Sequence, residues 1–324
     1  MKYYNILFLL LIPSLLTAQG GKSEAVSPVT ADPISISIRS GSTAGGLNIR
    51  SQICPNENFD FRTCEGVLSG SNVMDDLFLV KLPSILGDGY KSWKKQDDIW
   101  SYTWPYEEGI TVNVEVEPVS DGLKLTYTLE NTSTRAMDDV QLHPCIPTTE
   151  APGFFPEPNL RNGEKSWAEL YERLSLWSDG RRFSFSEAKL AESEPHLAFM
   201  YQGAAPIYWA WWVNGSETFN LPLIALTSRD GRYTVALAFD QAIWASANVG
   251  DERACFHLFP WFGRIEPGES VSVNGRFYIL EGGPEAAFDQ FQKDFPEIVW
   301  MLTVTGSANQ MLIIQNSIRY LRIM

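Results

Sequence analysis

The sequence predicts an all-β protein, built as a large antiparallel β-sandwich and closed by a short C-terminal helix. Three observations lead to this prediction: many segments alternate apolar and polar residues, glycine-containing turns separate them, and few segments show helical periodicity. Alternation with a period of two is typical of a strand that buries one face. Repeated strands joined by tight turns favour an antiparallel sandwich over a parallel α/β sheet.

Alternating segments predict strands between residues 34 and 280. Each segment directs apolar side chains to one face of a sheet and polar side chains to the other. The clearest are Ile34–Ile38, Ile110–Glu117, Leu123–Leu129, Tyr233–Phe239 and Val271–Ile279. Turn signals lie between such segments, and an Asp-Gly step is typical of a hairpin. These turns are Ser120–Gly122, Ser178–Gly180, Arg229–Gly231 and Pro267–Gly268.

Two segments show helical spacing. Ser166–Leu176 predicts a short helix, although a strand over Glu172–Trp177 competes with it. Pro284–Phe295 predicts a cleaner helix, because proline suits a first helical turn and Phe288, Phe291 and Phe295 form one apolar stripe.

The N-terminus predicts a secretory signal peptide over residues 1–18. Lys2 is followed by the apolar run Ile6–Ile12 and by small residues before a cleavage site after Ala18. The run is too short to span a bilayer, so we expect a secreted or periplasmic protein without a transmembrane anchor. We interpret 19–33 as a flexible leader, 34–296 as one sandwich domain, and 297–324 as an atypical tail.

The charge of the chain excludes one class of partner. The formal net charge is −14 and the sequence pI is about 4.7. Nucleic acid requires a basic surface, so we expect no nucleic-acid partner.

Aromatic residues predict a surface for sugars. Trp100, Tyr102, Trp104 and Tyr106 alternate along one predicted strand, and a second cluster contains Trp209 and Trp211. Sugar rings carry C–H patches that pack against exposed aromatic faces, which makes an oligo- or polysaccharide the expected partner. The alternative is that these rings form the core of the sandwich, since aromatic side chains bury large areas.

Two short elements, His143-Pro144-Cys145 and Cys255-Phe256-His257, bring reactive side chains together if their strands are neighbours. The period of two places both reactive residues of each element on one face. Three interpretations remain open: a Cys145–Cys255 disulfide flanked by histidines, a transition-metal site, or buried reduced thiols with ordinary histidines. Two-residue spacing is unusual for zinc, and we expect no metal and no cofactor. A second disulfide would join Cys54 and Cys64, which are close in sequence.

Several short segments resemble a known family. Leu123–Ser133 with the following Leu142-His143-Pro144 resembles aldose 1-epimerases of the galactose mutarotase-like superfamily, where a strand ends in an Asn-Thr turn and the next carries a His-Pro or His-Ser step. The segments Ala254–His257 and Pro267–Glu269 resemble the closing pattern of that family. The resemblance implies a β-supersandwich over about residues 35–295.

One departure from the family bears on the chemistry. The epimerases carry a catalytic glutamate two positions after the residue that matches Cys255, and this sequence has His257 there. The resemblance implies a general acid at His143. If the protein is a lyase, hydrolase or epimerase-like enzyme, we therefore expect His143 and His257 to act as its acid and base. The alternatives are a non-catalytic glycan-binding module and a structural or protein-interaction role in the cell envelope.

Overall fold

A computed structural model describes residues 33–39, 46–69, 93–106, 109–156, 164–178, 180–187, 209–214, 219–249 and 254–298. The chain divides into two units, Met1–Ala31 and Asp32–Met324, and the described residues all lie in the second. The predicted signal peptide and the tail beyond residue 298 lie outside the described residues, so both remain predictions. In the part of the chain that the structure describes, no helix is long and apolar enough to cross a membrane.

The described residues form eighteen strands in three sheets, and every strand pairing is antiparallel. The smallest sheet has the order β1 (Ile34–Ile38), β2 (Gly46–Ser51), β3 (Phe59–Arg62). The second has the order β13 (Trp209–Asn214), β16 (Ala242–Val249), β17 (Ala254–Ile265), β9 (Met137–Leu142), β4 (Val67–Leu68), and β10 (Ile146–Pro147) also pairs with β17.

The third sheet is the largest and contains most of the predicted strands. Its nine strands have the order β12 (Arg181–Ser184), β11 (Leu174–Ser178), β14 (Leu223–Thr227), β15 (Tyr233–Phe239), β18 (Ser270–Glu281), β8 (Gly122–Asn131), β7 (Ile110–Val119), β6 (Ile99–Tyr106), β5 (Lys94–Gln96). The predicted Ser120–Gly122 turn joins β7 to β8, and Gly122 takes the positive φ of 143° that favours glycine there.

The structure confirms the predicted all-β fold and its C-terminal helix. The segments predicted at Ile34–Ile38 and Tyr233–Phe239 coincide with β1 and β15 residue for residue. Each of the two competing predictions over Ser166–Leu176 is right for part of the segment. Helix α1 (Glu164–Arg173) forms its first part and is followed directly by β11. The predicted C-terminal helix is α2 (Pro284–Asp294).

Hydrophobic side chains fill two separate clusters. The larger one includes the inward faces of β7 and β8, on which Val112, Val114 and Leu129 are fully buried. The smaller one lies where α2 covers the other face of the nine-stranded sheet, with Phe291 packed near Tyr278. The nine-stranded sheet is thus buried on both faces around β15 and β18, which accounts for the nearly continuous apolar sequence of β15.

Asn131 ties the end of β8 to a distant strand. Its side chain is buried and its Nδ2 donates to the carbonyls of Arg135 and Ile265 at 2.8 and 2.9 Å. Its Oδ1 accepts hydrogen bonds from the backbone N–H and the hydroxyl of Ser133 at 3.0 and 2.7 Å. This is the Asn-Thr turn on which part of the family resemblance rests.

We expect Asn131→Ala to lower the free energy of unfolding by about 2 kcal/mol, because it leaves the buried Ile265 carbonyl and the part-buried bonds to Ser133 and Arg135 without their partner. Urea denaturation measures this loss. The control is Asn113→Ala, since the exposed side chain of Asn113 makes a single bond to Thr103, and its cost stays below about 1 kcal/mol. Equal losses for the two variants would contradict this role of Asn131.

Candidate functional site

The two histidine and cysteine elements are neighbours in the structure. Cys255 and His257 lie on β17, and β10 pairs with β17 through Ile146 opposite Phe256. His143 and Cys145 lie between β9 and β10, both of which flank β17. The predicted convergence of the four side chains therefore occurs through one central strand.

The side chains of this cluster approach closely. The Sγ atoms of Cys145 and Cys255 and a ring nitrogen of His257 lie within 4.8 Å of one another. The ring centroids of His143 and His257 are 4.5 Å apart, and the His143 ring stacks on Phe259 at 4.7 Å with an interplanar angle of 12°.

Glu65 is a fifth member of the cluster. Its carboxylate lies within 4.8 Å of ring nitrogens of both His143 and His257. The backbone holds it there, because the Glu65 N–H donates to the His143 carbonyl at 2.7 Å and the His143 N–H donates to the Gly66 carbonyl at 3.0 Å. The sequence analysis missed Glu65, since its segment has no periodicity and only the pairing of β4 with β9 reveals its position.

Arginine side chains compensate the acidic groups beside the cluster. Arg62 donates from Nη1 to Glu65 at 2.7 Å and from Nε to Asp60 at 3.1 Å. Arg62 also exchanges two backbone hydrogen bonds with Cys145, of 2.9 and 2.8 Å. Burial raises the pKa of Asp60, and the attraction of Arg62 and Arg39 opposes that rise.

The cluster is shielded from solvent. His143 is 1 % exposed, His257 is 0 % exposed and Cys145 is buried, whereas Cys255 keeps partial exposure. Polar groups at such depth are normally satisfied by partners, because desolvation without compensation is costly.

The surroundings shift the pKa values of the two histidines in opposite directions. Burial lowers the pKa of His143 well below its usual value, and repulsion from His257 adds to this. Burial alone would also lower the pKa of His257, but Cys255, Glu65 and the Ser246 carbonyl together outweigh it and the net pKa is raised. These directions make His143 a neutral imidazole next to the more basic His257.

The two thiols of the cluster differ in the same way. Burial raises the pKa of Cys145 well above its usual value. A hydrogen bond from the Cys145 thiol lowers the pKa of Cys255 well below its usual value although burial opposes this, and His257 adds a further attraction. Cys255 is therefore the more acidic thiol.

Ser246 fixes the orientation of the His257 ring. Its hydroxyl lies 2.9 Å from Nδ1 of His257, and its carbonyl oxygen lies 3.3 Å from the same nitrogen. Because a carbonyl oxygen only accepts hydrogen bonds, this arrangement assigns the proton to Nδ1 and leaves the lone pair on Nε2.

None of the four cysteines, all of which lie in the described part of the chain, is in a disulfide, so neither predicted bridge is formed in the structure. Cys54 and Cys64 are both buried, and the Cys64 sulfur lies 3.5 Å from the Gly66 carbonyl. Burial raises the pKa of Cys54 to about 12 and that of Cys64 to about 11, so both are protonated near neutral pH.

The predicted aromatic row on β6 divides into two parts. Tyr102 lies in the core, where its hydroxyl is 3.0 Å from Thr63 Oγ1 and its ring meets Trp93 edge-on at 4.7 Å. It is therefore a packing residue, and the prediction that it contacts sugar does not fit its burial. Trp100, Trp104 and Tyr106 pack against the core but remain partly exposed.

The second aromatic cluster lies on β13, which pairs with β16. Trp209 is opposite Val249, Trp211 opposite Ala247 and Trp212 opposite Ser246. Since Ser246 is opposite His257 in turn, Trp212 is the position of this strand in line with His257. The side chains of β13 lie outside the described residues, so sugar contacts by Trp209 and Trp211 remain a prediction.

Comparisons with known proteins find similar chains among solved structures, all at low sequence identity. No protein-family model and no curated protein matches the sequence. Similar solved structures include a putative aldose 1-epimerase from Escherichia coli K12 (12 % identity, 76 % of this chain, 99 % of that one, TM-score 0.39). A galactose mutarotase-like protein from Lactobacillus casei is also similar (11 % identity, 77 % of this chain, 98 % of that one, TM-score 0.42). So is a polysaccharide lyase (11 % identity, 83 % of this chain, 35 % of that one, TM-score 0.39). Several neighbours are thus galactose mutarotase-like proteins, which is the resemblance that the motifs predict.

We expect Arg62→Gln to lower the free energy of unfolding by about 3 kcal/mol at pH 7, because it leaves the buried Glu65 without this cation and leaves Asp60 with Arg39 alone, at 3.5 Å. Loss of Arg62 raises the pKa of Asp60 further, so protonation relieves the cost as the pH falls and the deficit shrinks toward pH 5. Urea denaturation at the two pH values measures both effects.

Arg264→Gln is the control for this experiment. Arg264 also bonds two acids, Asp138 and Glu266, but its side chain is 56 % exposed. We expect a cost below about 1 kcal/mol with little dependence on pH. A deficit for Arg62→Gln that grows as the pH falls would contradict the role given to the buried carboxylates.

Proposed function

We propose that the protein is an exported carbohydrate-binding protein that acts on extracellular or periplasmic glycans. The observation that carries the proposal is the row of partly exposed rings on β6, formed by Trp100, Trp104 and Tyr106. Two of the structural neighbours, the aldose 1-epimerase and the polysaccharide lyase, have names that refer to carbohydrates.

The spacing of the aromatic row suits an extended ligand. Residues two apart on a strand are about 7 Å apart and point to the same face. Trp104 and Tyr106 are therefore about 7 Å apart and Trp100 about 14 Å from Trp104, with the buried Tyr102 between them, so the partly exposed rings offer two separated contact points to a linear oligosaccharide. Packing of their inner edges against the core holds the rings in place, which reduces the entropy lost on binding.

Polar side chains flank the first ring of the row. Strand β5 pairs with β6 so that Lys95 is opposite Trp100, and Lys94, Lys95 and Gln96 are all exposed. The Lys95 ammonium lies 5.6 Å from the centre of the Trp100 ring. Of these three, Lys95 is on the face of Trp100, where it supplies a donor for sugar hydroxyls and its charge favours a glycan that carries carboxylates.

The predicted acid and base, His143 and His257, support processing less directly than the aromatic row supports binding. Both rings are buried, so a glycan reaches neither of them without movement of the covering structure. Turnover by these histidines is the alternative that the binding experiment also tests.

We expect the Trp100→Ala, Trp104→Ala double variant to lose at least about tenfold in affinity for the glycan that the mature protein binds, since each ring contributes on the order of 1 kcal/mol. Affinity electrophoresis through gels loaded with neutral and uronic polysaccharides identifies the glycan, and calorimetry measures the affinity. Circular dichroism checks that the double variant is folded.

The control variant is Ile99→Ala on the same strand. Ile99 is exposed and lies on the face of β6 opposite to Trp100, so its loss leaves the affinity unchanged. Equal affinity of the wild type and the folded double variant would overturn the proposed surface. Release of reducing ends or unsaturated sugars would replace binding by processing, and retention by no glycan would leave the structural role in the cell envelope.

Export has a separate test. We expect chain synthesised with its own N-terminus in a secreting host to lose residues 1–18, which intact mass and N-terminal sequencing detect. A chain that keeps Met1–Ala18 and stays inside the cell would contradict export without affecting glycan binding.

A further inference from the structure

We propose that Cys145, Cys255 and His257 bind a thiophilic divalent metal ion, for which zinc is the best match. The proposal is independent of glycan binding, and it departs from the sequence prediction that no metal is bound. It rests on the donor set, the orientation of the His257 ring and the buried charges around them.

The three donors have the chemistry and nearly the spacing of a zinc site. Two cysteine sulfurs and one imidazole nitrogen form a common ligand set for zinc. Tetrahedral zinc with bonds of 2.0 to 2.3 Å separates its ligand atoms by roughly 3.5–3.8 Å. The observed atoms lie within 4.8 Å of one another, so closure of at most about 1.3 Å completes the site.

His257 presents the atom that such an ion requires. Nε2 of His257 is buried and makes no hydrogen bond within the described part of the chain. The contacts of Ser246 with Nδ1 hold the ring so that the lone pair lies on Nε2. A metal-binding histidine usually has this arrangement, in which the second ring nitrogen donates to a backbone carbonyl or another acceptor.

A divalent ion also balances the charges at this depth. Metal-bound cysteines are thiolates, and two buried thiolates without a cation would be strongly unfavourable. A divalent ion offsets both of them, while Arg62 already pairs with Glu65 at 2.7 Å.

The first measurement is the metal content of the full chain, purified with reductant and without chelator, by mass spectrometry of the elements. We expect about one zinc per chain. Replacement by Co²⁺ should produce the near-ultraviolet charge-transfer absorption of a thiolate-bound ion, a signature that requires no variant. Protein that retains no metal after incubation with excess Zn²⁺ would overturn the proposal.

The variants Cys145→Ser and Cys255→Ser identify the ligands. We expect each variant to weaken zinc binding by more than about 100-fold. Removal of a residue that only hydrogen-bonds to a ligand costs about 10- to 100-fold in affinity, and removal of the ligand itself costs more. Cys54→Ser and Cys64→Ser remove buried thiols outside the donor set and should retain the metal. Loss of metal to the same extent in all four variants would contradict the assignment.

Thiol titration separates the metal site from the predicted disulfide. Zinc-bound protein that is unfolded in the presence of a chelator should release its zinc and expose four thiols per chain. A count of two thiols per chain with no metal would show a Cys145–Cys255 disulfide instead. A count of four thiols per chain with no affinity for zinc would show that Cys145 and Cys255 are ordinary buried thiols. Either of these results would overturn the proposal.

Discussion

Antiparallel pairing on both sides of β17 is the constraint on which the candidate site depends. On one side β16 brings Ser246 opposite His257, and on the other side β9 and β10 bring His143 and Cys145. Backbone hydrogen bonds fix these positions before any side-chain interaction is considered. A shift of one residue in this register would turn Cys255 and His257 to the other face and disperse the cluster.

The buried polar groups around β17 are stable only as a set. The Arg62 side chain forms ion pairs with Asp60 and Glu65, and a backbone hydrogen bond joins Glu65 to His143. Each group offsets the desolvation of the next, so removal of one leaves its neighbours buried without compensation. This dependence makes the cluster one structural unit, in which the loss of a single member destabilises the others.

Much of the fold could be predicted because alternation directly reflects one-sided burial. Ile34–Ile38 was located to the residue in this way, and the helix at Pro284 was expected from its proline and its apolar stripe. Tyr233–Phe239 was also located to the residue, although the structure buries both of its faces. The pairing of the two His/Cys elements was conditional, because register between distant strands is a tertiary property. Glu65 left no signal, since its position follows from the pairing of β4 with β9. Tyr102 was misassigned because alternation alone does not tell the core face of a sheet from an exposed one.

The order in which the cluster residues occur along the chain has a consequence for folding. Glu65 and Cys145 are synthesised long before Cys255 and His257, yet all of them meet around β17. Such non-local pairing gives a high contact order, and the entropy of closing the intervening chain slows the search. During that interval Cys145 can pair with Arg62 but lacks Cys255 and His257, which lie beside its thiol in the folded chain. The chain is therefore most vulnerable to wrong disulfides and aggregation until β17 has been synthesised.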